Sequence, residues 1–222
     1  VDQRRRHLDL LRAQLHVLAH PVAMAPYPPE VFAGPDPAAD VARDAVAALR
    51  REHPGTGVSL HGTSRSLSRA LQREAGQAAM LVTGRDPADV RGTARLAGRA
   101  GVPVLTVPAT RVEPGAPVVL AGTGTAAAAP AVAFAFAEAA TRGVPLLACD
   151  LAARDGDPFT ADVDSAAAHF PAVDVRREPP PDLTTPGTAL LVLQAPARRD
   201  RAMLAGLLRD APYPVATVPA AR

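Results

Sequence analysis

The chain has 222 residues, 48% apolar and 21% charged, which excludes wholesale disorder and leaves room for one large core or two small domains. Aromatic residues make up only 3% and Trp is absent, so the core must be built from Ala, Val and Leu. The 24 basic residues, all Arg, face 22 acidic ones, a net charge of +2 without the concentrated basic face of a nucleic-acid binder. The single Cys149 excludes an internal disulfide framework and a multi-cysteine metal site, and fits a reducing cytoplasm.

The first residues are polar and carry Arg, unlike a secretory signal. A helix-like stretch from Arg5 to Arg12 precedes the apolar run Leu15–Ala19, read as a strand, and a Pro-rich loop from Pro21 to Pro37. Ala38–Arg51 has helical spacing, with Val41, Ala45, Ala48 and Leu49 on one side. Val58–His61 alternates like a strand, and Ser64–Ala75 is a helix with Leu67 and Leu71 four apart. Met80–Thr83 reads as a buried strand, Asp89–Arg99 as a helix, and Gly101–Val107 as a turn and strand.

Thr110–Ala116, rich in Pro and Gly, reads as a linker, after which the pattern restarts. Val118–Ala121 is a strand, Ala126–Thr141 a helix and Val144–Cys149 a strand; Asp150–Ala161 is a loop. A short helix over Asp162–His169 and a strand at Val173–Val175 follow. Leu190–Leu193 is a buried strand, Arg198–Arg209 an amphipathic helix, and Val215–Val218 the last strand. Pro114–Ala137 carries no charge over the roughly 20 residues a membrane span needs. Gly122, Thr123, Gly124, Thr125 and Pro130 interrupt it, so it reads as strand, glycine turn and helix. Strands alternating with helices point to parallel α/β units.

The chain repeats itself. Residues 79–107 (AMLVTGRDPADVRGTARLAGRAGVPVLTV) and 189–218 (ALLVLQAPARRDRAMLAGLLRDAPYPVATV) are both strand, loop, Arg-bearing helix and X-Pro-Val strand, and each is followed by Pro-Ala. One residue separates their lengths, which marks an internal duplication of an α/β unit.

The order of these elements resembles a tandem universal stress protein. Val118–Thr125 resembles the end of that family's first strand, and Val132–Leu147 its first helix and second strand. Ala211–Val215 resembles its last strand, with Tyr213 where Cys is common, and Gly101–Val104 matches the same place in the first half. The resemblance implies two tandem open parallel-sheet α/β domains flanked by helices, of the adenine-nucleotide alpha-hydrolase-like kind. They would cover residues 1–109 and 117–222, joined by the linker at 110–116. It also implies that the two final strands pair edge to edge as an intrachain pseudo-dimer, compatible with a monomer or a homodimer. The first half lacks an evident first strand, with Val1-Asp2 the candidate relic, and the second has little room for a helix between its third and fourth strands.

Family members that bind ATP carry an acidic residue at the end of the first strand, where Thr123 stands here. They also carry a glycine-rich loop after the fourth strand, whose backbone N–H groups converge on phosphates beside a helix N-terminus. Here Gln194-Ala195-Pro196-Ala197 follows Leu193, with no glycine until Gly206, and Pro196 lacks an N–H. The candidate nucleotide contacts are therefore Gly122, Thr123, Gly124, Thr125 and Gln194, against the reading of a strand-to-helix turn that needs small residues.

Arg91, Arg95 and Arg99 recur every fourth residue; a solvated helix face is favoured over an anion-binding stripe. Cys149 reads as a small buried side chain; as a nucleophile it would need a base, for which His169 and Asp150 qualify by type alone. No His spacing suits a metal, and no catalytic carboxylate pair can be placed. The expected function is a cytoplasmic stress-response or regulatory protein acting through an unidentified protein partner, with no catalysis, cofactor, nucleic acid or membrane. An ATP- or AMP-binding universal stress protein and a small α/β hydrolase or transferase are the alternatives.

Overall fold

The computed structural model describes residues 14–19, 37–62, 67–85, 89–110, 112–122, 128–151, 158–179, 182–183, 186–195 and 200–220. The expected helix at 5–12, the Val1-Asp2 relic and the Pro-rich loop before Pro37 lie outside them. The chain divides into two compact units, Val1–Leu71 and Gln72–Arg222.

In the first unit, β1 (Gln14–Ala19), α1 (Pro37–Glu52) and β2 (Gly57–Gly62) form a β-α-β turn of chain, and α2 (Leu67–Glu74) spans the boundary between the units. β1 and β2 pair in parallel from Gln14 opposite Gly57 to Ala19 opposite Gly62. β1 is the strand that the apolar run at residues 15–19 leads one to expect. The buried Val46 and Val58 belong to this unit, and the Arg50 guanidinium donates to the Val58 carbonyl at 2.7 Å.

The second unit runs β3 (Leu81–Gly84), α3 (Val90–Ala97), β4 (Val104–Val107), β5 (Val118–Gly122), α4 (Ala129–Arg142), β6 (Leu146–Asp150), α5 (Pro158–His169), β7 (Val175–Arg177), β8 (Leu190–Gln194), α6 (Arg201–Asp210) and β9 (Val215–Val218). Its seven-stranded sheet has the order β3-β4-β9-β8-β5-β6-β7. The expected linker at 110–116 lies within this unit, between two strands of the same sheet. α5 begins four residues earlier than the sequence pattern places it, because proline suits a first helical turn, where its missing N–H would have no partner. Among the described residues between β7 and β8 there is no helix.

β5 and β8 are buried along their whole length, as continuous apolar runs in parallel sheets are when both faces are covered. Alternate residues divide the faces. Val118, Leu120, Leu146, Ala148, Leu190 and Val192 join the core beneath α4 and α5. α4 approaches through Ala131, Val132, Ala135, Phe136 and Ala139, and Phe136 stacks at 5.5 Å on Phe170. The helix ends at Gly143, whose φ of 64° is the left-handed value that glycine adopts without strain. The N–H groups of Gly143 and Val144 then return to the carbonyls of Ala140 and Ala139.

The two similar sequence stretches, 79–107 and 189–218, make matching hydrogen bonds. β3–β4 and β8–β9 are both parallel pairs, with Leu81 opposite Val104 and Leu191 opposite Val215. The N–H of Leu81 donates to Pro103 and that of Leu191 to Pro214, each at 2.9 Å. The helices of the two stretches, α3 and α6, both in the second unit, pack against each other. β3 ends the sheet, however, and Val82 is 52% and Met80 38% exposed, so this strand is not buried throughout as its apolar run suggests.

The two stretches meet through their last strands. β4 and β9 pair antiparallel, with Val104 opposite Thr217, Leu105 opposite Ala216 and Thr106 opposite Val215. The Thr217 hydroxyl also donates to the Val104 carbonyl at 3.2 Å. Val215 is buried, so Val215→Asp places a carboxylate where it has no water, at a cost of several kcal/mol if it stays charged. In a folded Val215→Asp protein the amides of residues 104–106 should lose hydrogen-exchange protection by tenfold or more. Full protection there would separate β4 from β9 energetically.

Candidate functional site

In an open parallel sheet, ligands bind at the carboxyl ends of strands where the strand order reverses. Here that point lies between β5 and β8: β6 and β7 extend the sheet to one side, β8 and β9 to the other. Ala121 pairs with Leu193 on one side and Cys149 on the other, and Gly122 pairs with Asp150. Gln194, Gly122 and Asp150 therefore end three neighbouring strands. Strand alternation puts them on the α4–α5 face, continuing Val192, Leu120 and Ala148.

Of the expected contacts, the structure thus brings Gly122 and Gln194 onto adjacent strands, while Thr123, Gly124 and Thr125 lie outside the described residues. Gln194 is buried and holds a partner of its own. The space in front of Gly122 is taken by an aromatic ring. A Cβ built on Gly122 would stand 2.9 Å from the Phe159 ring, in the first turn of α5. The sequence shows a glycine at a strand end; only the fold shows that a residue 37 positions later fills the volume it clears.

Next to Phe159, a cleft of about 270 Å³ opens at the ends of β6 and β7, lined by Ala148, Asp150, Thr160, Arg177 and Glu178 among others. Asp150 and Glu178 give it two carboxylates, and its one guanidinium, Arg177, is paired with Asp164. This charge set disfavours a polyphosphate. The sequence offers Asp150 only as a base for Cys149, by type; its place in the row beside Gly122 is set by strand register, which no local pattern encodes.

Cys149 alternates to the other face of β6 from Ala148, and its thiol donates to the Leu120 carbonyl at 3.6 Å. Burial, reinforced by the nearby Asp150, pushes its pKa up from 9.0 to about 11, so it is a thiol rather than a thiolate at neutral pH. His169 stands at the far end of α5, about 15 Å of helix beyond Phe159, with Nδ1 at 2.8 Å from the Ser165 carbonyl. The two are not brought together. Tyr213, in the position where the resemblance leads one to expect Cys, donates its hydroxyl to the Leu183 carbonyl at 2.6 Å. Burial, then Asp182 and Cys149, push its pKa up to about 12. Among the described residues no group of three or more His, Cys, Asp or Glu is placed to hold a metal ion, and no helix is long and apolar enough to cross a membrane.

With that geometry in place, solved structures give the fold its name. A universal stress protein from Archaeoglobus fulgidus DSM 4304 superposes with a TM-score of 0.62 over 94% of this chain and 86% of its own, at 14% identity. The fold is that of the universal stress proteins. A functionally unknown protein from Pseudomonas aeruginosa PAO1 matches at a TM-score of 0.58 and 13% identity, over 96% of this chain and 95% of its own. The cytoplasmic domain of a prokaryotic cation chloride cotransporter matches at 0.60 and 12%, over 97% and 90%. No protein-family model and no curated protein sequence matches the chain.

Two outcomes check the site. Gly122→Ala forces the new methyl into the Phe159 ring and should cost about 1–3 kcal/mol by denaturant unfolding, the range for overpacking a filled core. The cost should shrink in a Phe159→Leu background, and an additive double mutant would remove the contact from the account. The second outcome concerns pH. A folded-state pKa raised for an acid means that the unfolded chain loses the Cys149 proton first. Stability should therefore be unaffected by this group below pH 9 and fall as pH rises from about 9 to 11. Cys149→Ala should flatten that fall in thermal melts recorded across this range.

Proposed function

We propose that this chain is a regulatory, stress-related protein that acts in the cytoplasm by binding other proteins, without chemistry of its own. Its two halves are degenerate tandem copies of the universal stress unit, and its nucleotide site is vestigial. The observation that carries this reading is the Phe159 ring packed against Gly122, at the strand end where an open sheet of this order would receive a ligand. The carboxylates of the neighbouring cleft and the Gln194-Ala195-Pro196-Ala197 segment, poor in glycine and one N–H short, point the same way. The elevated pKa of Cys149 and its distance in the fold from His169 lend nothing to a hydrolase or transferase.

Titration calorimetry with ATP and magnesium tests the reading. The expected dissociation constant is no tighter than about 10 μM, roughly −7 kcal/mol. Submicromolar binding would overturn the vestigial site and make the chain a nucleotide-binding universal stress protein.

A further inference from the structure

Arg91 and Arg95 on α3, and Arg99 in the turn that closes it, stand four residues apart, about 6 Å of helix rise at each step. All three are exposed. None of the three guanidiniums forms an ion pair or hydrogen bond with a described residue. Elsewhere Arg43 has Asp40, Arg142 has Glu138, Arg176 has Asp174 and Arg177 has Asp164. Like charges at this spacing destabilise a helix. The helix dipole offsets this for Arg95 and Arg99 near the C-terminus, but it opposes Arg91 in the first turn.

The duplication supplies an internal control. Asp89 and Asp200 hold the same N-cap position in α3 and α6. Counted from those caps, Arg91, Arg95 and Arg99 correspond to Ala202, Gly206 and Asp210. α6 packs against α3 and forms the same strand–helix–strand unit with no cation at any of the three places. The fold does not require the stripe.

We infer that the α3 stripe is a docking surface for an acidic segment of a partner polypeptide. An extended chain puts alternate side chains about 6.7 Å apart on one face, close to the step between the arginines. A guanidinium takes a carboxylate in a two-pronged hydrogen bond, so Glu or Asp at every second position fits the row. Residues 90–101 contain no aromatic side chain on which a base could stack, and the net charge of the chain is only +2, which sets the surface apart from a single-strand nucleic-acid groove. The inference rests on the protein-binding reading above. Tight ATP binding would overturn that reading and leave the peptide measurement standing, whereas loss of peptide binding overturns this inference alone.

The test is fluorescence anisotropy of an eight-residue labelled peptide of alternating Glu and Ser, titrated with the full chain, beside a labelled dT12 oligonucleotide. Binding of the peptide should weaken steeply between 50 and 300 mM salt, on the order of the range over which screening shortens below the arginine spacing. Arg91→Gln/Arg95→Gln/Arg99→Gln should lose about tenfold or more in affinity, the fold-change expected when charge-assisted bonds are removed. Arg142→Gln, on α4, should not change it. Circular dichroism checks that the triple variant is folded; if it is not, Arg91→Gln alone should still weaken binding. The inference is overturned if the wild-type chain fails to bind the peptide, if the Arg variants bind it unchanged, or if dT12 binds more tightly and depends on the same arginines.

Discussion

The seven-stranded sheet depends on one antiparallel ladder, three residue pairs long, between β4 and β9. Each is the last strand of its repeat, so no crossover follows to cover its outer edge. An open edge of N–H and C=O groups is a template for pairing. Two copies of the same strand can satisfy each other only about a two-fold axis, which makes the ladder antiparallel in an otherwise parallel sheet. The register obeys that symmetry: Val104 corresponds to Val215 and Thr106 to Thr217, so the pairs Val104–Thr217 and Thr106–Val215 are images of one another. Leu105 and Ala216 sit at the centre, a large residue against a small one. Strict repetition would place two leucines or two alanines there, crowding the axis or leaving it hollow.

Around that axis the two stretches differ in what they expose. β8 is buried throughout, between β9 and β5, while β3 ends the sheet with Val82 exposed. α6 presents Ala202 and Gly206 where α3 presents Arg91 and Arg95. The features the pair share in the sheet are the X-Pro-Val strand entry and the buried threonines Thr106 and Thr217. The two stretches differ where packing does not constrain them.

Much of this was legible in the sequence because period and duplication are local signals. β2, β5, β8, β9 and α1 fall within about two residues of where apolar patterning places them, the ordinary uncertainty of element ends. The pairing of the last strands followed from the resemblance to tandem universal stress proteins, favoured by the apolar edge each strand would otherwise leave open. The parts that escaped are those that depend on distant residues. The apolar run at residues 15–19 reads as a strand, but its partner lies across α1 at residues 57–62, so the pairing shows only in the ladder. The exposure of Val82 depends on β3 ending the sheet, which no property of Met80–Thr83 encodes. Phe159 and Gly122 meet across β6, and α5 carries Phe159 there from a start that the charge-rich run before it hides.

Gly122 shows why a motif and a site are different things. A glycine at the carboxyl end of a parallel strand removes a side chain from the place where the sheet opens. Removing it clears a volume, and the volume has no preference for what enters. In a phosphate-binding loop the occupant is an anion, and the converging N–H groups make that occupant favourable. Here the occupant is a ring from the chain itself, which brings its own burial as the driving term and needs no N–H donors at all. The same absence of a Cβ serves both cases, and the donors tell them apart. After Leu193 the chain offers Gln194, Ala195 and a proline instead of successive glycines, while Phe159 lies in the core cluster with Leu120, Ala148 and Val163. A phosphate would have to displace a packed aromatic residue to reach Gly122, and would find beside it Asp150 and Glu178 rather than free cations. Both costs fall on the ligand and neither on the fold.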